Sequence, residues 1–323
     1  MKPIRAIGAL PLCLLCCLGS LNAQIVPAPT EKQMAAMDRI AAPLRKKVTD
    51  ILEADKSGQY QKYLADVRVM ADASDPAERK ALAERLRQDH YDFIKKAFVE
   101  AKIDLAGLKR QYAEVLGHSK FTMDEFGGLT SHTEIPKAIP PLSFDGELTC
   151  PYNIKDDFAN VAGLAGCTAD IPGCSITLDV NAFSLAAGCR TKGSIGDKLT
   201  LPAGNFTKAT VNARFNFDYY GIAMSLAGYG QYNAKLGLRL TGNNLDKVTI
   251  IHDAWCFAPI IFYNTVEKDA FDFPAQVTFT GSFNGDLNPM VYCENFVLAL
   301  GINSTCGFMH VNSIDFIKLD ASN

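Results

Sequence analysis

The chain has 323 residues, 48% of them hydrophobic, 21% charged and 10% aromatic, with 24 glycines, 15 prolines and 10 cysteines. That is globular composition, which excludes a disordered or collagen-like chain. A formal net charge of −3 argues against a nucleic-acid binder held mainly by phosphate attraction.

At ~100–200 residues per domain the length suggests two domains. Lys2 and Arg5 open a short basic region, and Ile7 to Leu18 is nearly unbroken apolar sequence. Small and polar residues follow, ending Ser20-Leu21-Asn22-Ala23. This order is that of a secretory signal peptide, and the apolar run falls short of the ~20 residues of a membrane span. Cleavage is expected after Ala23, so the protein is expected to be secreted, periplasmic or extracellular, with no transmembrane helix afterwards.

Residues 24–118 read as an antiparallel helical bundle. Thr30-Glu31-Lys32-Gln33 has capping-box spacing, and Met34, Met37, Ala41, Leu44, Val48 and Ile51 form one apolar stripe. Pro43 predicts a kink or restart. A second stripe begins at Tyr60, after Ser57-Gly58. Asp75-Pro76 opens a third helix, Asp as cap and Pro where its missing N–H costs nothing. That helix is expected to reach about Leu116, with Gly107 weakening it and Gly117 ending it. Side chains spaced by four, such as Glu84 with Gln88 and Arg87 with Tyr91, read as its solvated face. His90 falls on its polar side.

Residues 119–145 look like a linker stiffened by Pro136, Pro140 and Pro141. Beyond it the charge balance shifts to 11 basic and 17 acidic side chains over residues 141–323. This part, 146–323, alternates with period two. Ala209, Val211, Ala213, Phe215, Phe217 and Tyr219 share one strand face, and polar residues take the other. Further strands are expected at 247–255, 257–265, 275–283, 290–300 and 308–319. They are separated by Gly242-Asn243-Asn244, Asn284-Gly285-Asp286 and Asn303-Ser304. The fold class is therefore α+β: a helical bundle followed by an antiparallel, disulfide-tied β-sandwich of jelly-roll type.

Removal of the signal takes Cys13, Cys16 and Cys17 with it. The remaining cysteines all follow residue 149, and export makes disulfides the expectation. Two bonds are expected among Cys150, Cys167, Cys174 and Cys189, and one between Cys293 and Cys306, which bracket a strand and turn. That leaves Cys256 as a buried free thiol beside Trp255. No Cys-x-x-Cys pair occurs among these seven, so no metal or cofactor is expected.

No catalytic motif stands out: there is no nucleophile elbow, zinc-binding His-Glu-x-x-His helix or phosphate-binding loop. His252 and Asp253 are adjacent on a strand and so point to opposite faces, which makes His252 a core histidine. Asn284 to Asn288, with Asp269 and Asp272, could supply calcium ligands, but a plain turn accounts for them. Asn205-Phe206-Thr207 and Asn303-Ser304-Thr305 match the N-glycosylation pattern.

Aromatics give the binding hint. Tyr220 and Tyr229 are the outward-facing members of the tyrosine-rich segment 219–232, placed to stack on sugar or to anchor a protein partner. The expected function is a non-enzymatic binding or adhesion protein. Its β part would recognise a glycan or cell-surface protein, and its helices would serve as spacer or self-association element. A secreted hydrolase with a cleft on the β part, and a membrane-acting toxin using the helical stripes, are the alternatives.

Overall fold

The computed structural model describes residues 25–117, 120–133, 147–183, 186–242, 244–302 and 304–323. The expected signal peptide, residues 119 and 134–145 of the expected linker, His118 and Asn303 lie outside them. Four helices come first among these residues: α1 (Glu31–Glu53), α2 (Gln59–Asp72), α3 (Pro76–Ala101) and α4 (Leu105–Leu116).

Helix boundaries follow local chemistry. The Thr30 hydroxyl accepts from the Gln33 N–H at 3.3 Å while the Gln33 amide oxygen accepts from the Thr30 N–H at 2.9 Å, a complete capping box. Pro43 lies inside α1, which runs through it without the expected restart. Asp75 caps α3 by accepting from the N–H groups of Ala77 and Glu78. The third helix is shorter than expected. Lys102 adopts a left-handed φ of 51°, and Asp104 starts a new helix by accepting the Gly107 N–H at 2.9 Å. A Cβ on Gly107 would sit 2.2 Å from the Asp104 carboxylate, so this glycine makes the cap possible.

The strands are β1 (Thr122–Met123), β2 (Leu129–His132), β3 (Glu147–Leu148), β4 (Ile154–Ala162), β5 (Ala165–Asp170), β6 (Ile176–Phe183) and β7 (Ala186–Gly196). They continue as β8 (Leu199–Thr200), β9 (Phe206–Ser225), β10 (Ala227–Gly242), β11 (Leu245–Ala258), β12 (Phe262–Phe283), β13 (Asp286–Ile302) and β14 (Ser304–Ser322). All pairings are antiparallel. One sheet runs β1-β2-β11-β10-β13-β7-β4 with β8 beside β13; the other runs β12-β9-β14-β6-β5 with β3 beside β14. The expected strands 257–265 and 275–283 differ from what forms. Residues 262–283 make one long strand with a bulge between Ala270 and Phe273, and 257–258 belong to β11. Strands β4 to β7, in the Gly-rich cysteine segment, went unread in the sequence.

Two apolar clusters hold the molecule together. Between the sheets lie Val211, Ala213, Phe215, Phe217 and Tyr219 of β9 against Leu236 and Leu238 of β10 and Val291 and Val297 of β13. That is the face expected from alternation. Tyr232 fits there because Gly221 and Gly307 leave room: a Cβ on either would fall within 2.2 Å of its ring.

The second cluster joins the helical stripes (Met37, Val48, Tyr63, Val67, Leu86, Ile94, Phe98) to sheet residues outside the sandwich core, among them Tyr220, Tyr229, Trp255, Phe257 and Phe262. The stripes expected to serve self-association or membrane insertion pack against these aromatics. Burial of such area is the main stabilising term between the layers. No described helix is long and apolar enough to cross a membrane.

Two disulfides form, Cys150–Cys174 and Cys167–Cys189, with Cα separations of 5.5 and 6.1 Å. The second joins β5 to β7 and so links the two sheets. The expected Cys293–Cys306 bond is absent, and Cys256, Cys293 and Cys306 are buried free thiols. The reason is topological: the chain changes sheets between β13 and β14. Cys293 points into the inter-sheet core, and Cys306 belongs to the cluster beneath the helices.

Candidate functional site

A cleft of 560 Å³ opens between α3 and the outer face of the six-stranded sheet. Its helical wall is Glu84, Arg87, Gln88 and Tyr91, which follow one another at intervals of three, one and three and so share a helix face. Its sheet wall is Tyr263, Thr265 and Glu267, alternate residues of β12, and Tyr220 of β9, the direct cross-strand partner of Glu267. The volume lies in the range of small-ligand sites.

Charged groups frame these rings. Lys80 bonds Glu267 at 3.0 Å and stands 4.6 Å over the Tyr220 ring. Arg87 lies 5.8 Å over Tyr263. At the far end the Tyr91 hydroxyl donates to Glu125, which Lys95 also holds at 2.9 Å. Burial pushes the Tyr220 and Tyr263 phenols up. Both therefore stay neutral at physiological pH and offer a hydroxyl that can donate and accept. The cleft thus combines ring faces, two carboxylates, an amide and a guanidinium. These are complementary to a compact ligand with apolar faces and many hydroxyl groups.

The two tyrosines singled out from the sequence part company. Tyr220 is 5% exposed and forms part of the cleft floor. Tyr229 is 6% exposed, rests on Phe257 with ring centroids 5.5 Å apart, and lies outside the cleft. Alternation put both on the correct side of their strands, but the helical layer covers that side. The sequence assigns no role to Tyr263, and Glu84, Arg87, Gln88 and Tyr91, which their spacing places on a solvated helix face, line the cleft.

The remaining candidates do not converge. His252 faces the core, its Nε2 3.1 Å from the Tyr219 hydroxyl, and burial pulls its pKa down to about 4. Asp253 faces the other way and accepts from the Asn233 amide. His90 is buried, against the solvated position expected, and bonds Asp66 of α2 at 2.7 Å. Trp255 is buried beneath the N-terminal segment, its Nε1–H donating to the Val26 carbonyl at 3.3 Å. Asp272 of the suggested calcium group is paired with Arg214 at 3.0 Å. Among the described residues no group of three His, Cys, Asp or Glu side chains is arranged to hold a metal ion.

No protein-family model matches the chain, and no curated protein matches it. Among solved structures, it is similar to TmCBM61 in complex with beta-1,4-galactotriose over 51% of this chain and 88% of that one, at 10% identity and a TM-score of 0.16. It is similar to a family 11 carbohydrate-binding module from Clostridium thermocellum, in complex with a beta-1,3-1,4-mixed-linked tetrasaccharide, over 56% of this chain and 98% of that one. Identity there is 12% and the TM-score 0.19. The enzymatically active domain of a bacteriophage tailspike protein is similar over 52% of this chain and 19% of its own, at 7% identity and a TM-score of 0.17. Likenesses this distant carry no weight for function.

Proposed function

We propose that this is an exported, non-enzymatic glycan-binding protein whose site is the cleft between α3 and the six-stranded sheet. The observation that carries the reading is the set of three tyrosines, Tyr91, Tyr220 and Tyr263, lining one 560 Å³ cleft with Glu84, Arg87, Gln88 and Glu267. Ring faces take the apolar face of a sugar, and the planar polar groups take its hydroxyls. Glu267 is tied to Lys80 and no histidine lines the cleft, so the site is better suited to holding a sugar than to moving protons. Two carboxylates among the lining groups favour a neutral ligand over an acidic one.

In this reading the helical part, 24–118, supplies one wall of the site and is more than a spacer. The β part, 146–323, supplies the floor and the other wall. The disulfides suit an oxidising compartment, as the expected signal peptide requires.

A glycan array probed with wild type and with Gln88→Trp, which fills the cleft from an exposed helix position, tests the reading. Selective binding to neutral oligosaccharides, lost in a variant that melts like wild type, is expected. An array on which wild type binds no neutral glycan, or neutral-glycan hits that Gln88→Trp leaves unchanged, would refute it.

A further inference from the structure

The eight-stranded sheet carries a second, chemically different surface on its outer face. Register aligns Phe158 of β4, Lys192 of β7, Glu294 of β13 and Lys235 of β10 in one cross-strand row. The next row is Asn160, Arg190, Phe296 and Asn233. Three cations thus surround one carboxylate. Lys235 Nζ stands 3.4 Å from it, and Arg190 Nε and Lys192 Nζ each stand 3.6 Å away. These separations exceed the 2.7–2.9 Å or so of a strong charge-assisted bond. The short bond to Glu294 comes from the Tyr292 hydroxyl, at 2.7 Å.

Glu294 therefore anchors the cluster without saturating it. Its side chain is 9% exposed, whereas those of Arg190, Lys192 and Lys235 are 48%, 36% and 26% exposed. Burial alone would raise the Glu294 carboxyl; Lys235, the Tyr292 hydroxyl, Arg190 and Lys192 outweigh it and hold it below its usual value. The adjacent Arg239 behaves differently. It is satisfied by two bonds to Asp246, at 2.8 and 2.9 Å, and by a further bond to Asp156. Asp253, beyond Lys235 in the first row, is buried and takes its bond from Asn233. The open donors are thus confined to Arg190, Lys192 and Lys235. Beside them Phe158 is 48% exposed, with Lys192 5.9 Å from its ring, and Arg190 lies 5.2 Å over Phe296.

We propose that this surface is a second site, for a uronate-bearing oligosaccharide, with Arg190 and Lys192 taking its carboxylates and Phe158 a sugar face. Around Glu294 the exposed groups are cations and the carboxylate is buried, which suits an anion, and a guanidinium recognises a carboxylate in a planar, two-bond geometry. Rings beside the cations call for an anion with an apolar face, and the open, flat sheet surface suits an extended chain over a small buried ligand. The site lies on the other sheet from the tyrosine cleft and stands independently of it.

The test is calorimetric titration of the purified protein with tetragalacturonate at low and at 0.5 M salt. Arg190→Ala/Lys192→Ala and Phe158→Ala serve as variants, and polyglutamate as competitor. Arg190 and Phe158 are exposed and Lys192 is half-buried, and thermal melting checks the fold. Expected are saturable binding weakened at least tenfold by the double substitution and by salt, a clear loss for Phe158→Ala, and poor competition by polyglutamate. Absence of binding at low salt, or unchanged affinity in the double variant, overturns the site. Full competition by polyglutamate, with no effect of Phe158→Ala, overturns the assignment to a sugar. Gln88→Trp, which blocks the cleft, is expected to leave this titration unchanged.

Discussion

Arg79, in the first turn of α3, donates to the Asp179 carboxylate of β6 at 2.8 Å, with its own side chain 3% exposed. This ion pair fastens the helix that forms one wall of the cleft to the sheet that forms the floor. A second bond, from the Arg79 guanidinium to the Ser74 carbonyl, fixes the same group to the α2–α3 connection. Attraction between two such ions is strong where water is excluded, and so is the penalty for leaving one without the other.

Arg79→Ala is accordingly expected to destabilise the protein by about 3–5 kcal/mol, the usual cost of leaving one partner of a buried pair alone. Arg79→Met with Asp179→Leu removes both charges and is expected to recover much of that loss. Urea unfolding midpoints check both. Equal losses in the single and double variants would mean that packing, not the pair, matters at this position.

Thiol counting reads the disulfide topology. Protein lacking residues 1–23, denatured without reductant, is expected to release three thiols to Ellman's reagent, those of Cys256, Cys293 and Cys306. The native protein is expected to release almost none in the same time, because all three are buried and burial raises their thiols, leaving little reactive thiolate. One thiol in the denatured protein would restore the Cys293–Cys306 bond.

Asp124 gives a pH dependence of definite sign. Burial pushes its carboxyl up to about 6, although the N–H groups of Phe126 and Gly128 and the charge of Arg87 pull the other way. A folded pKa above the unfolded 3.8 means that its contribution is fully present below about pH 4 and is lost as pH rises through 6. Both backbone bonds go to Oδ1, at 2.8 and 2.7 Å, an atom that asparagine also supplies. Asp124→Asn should therefore match wild type near pH 4 and exceed its stability above pH 6 by up to about 3 kcal/mol. His252 has the opposite sign, losing stability as pH falls from 6.5 through about 4. Comparing the two proteins at each pH cancels it. Parallel melting curves across pH 4–8 would contradict the assignment.

Period-two alternation was enough to read the sandwich core. Ala209 to Tyr219 lie on the face the sequence assigns them, because a strand's side chains have only two directions. The same rule says nothing of what covers the other face, and so Tyr220 and Tyr229 are buried where exposure was expected. The pairing of Cys293 with Cys306 failed for a related reason, since a turn in the sequence does not reveal that the chain is changing sheets. The cleft was the least legible part. Its walls come from 84–91, 220 and 263–267, and only packing of α3 across β9 and β12 brings them together. The break between α3 and α4 could have been found: Asp104 followed three residues later by glycine is a cap that needs that glycine.

The most direct test of the central claim is amide hydrogen exchange with and without a neutral oligosaccharide that the protein binds. Slower exchange in peptides covering 84–91 and 263–267, with no change around Tyr229, is the expected result. Protection elsewhere, with those two segments unchanged, would contradict a glycan site in the cleft.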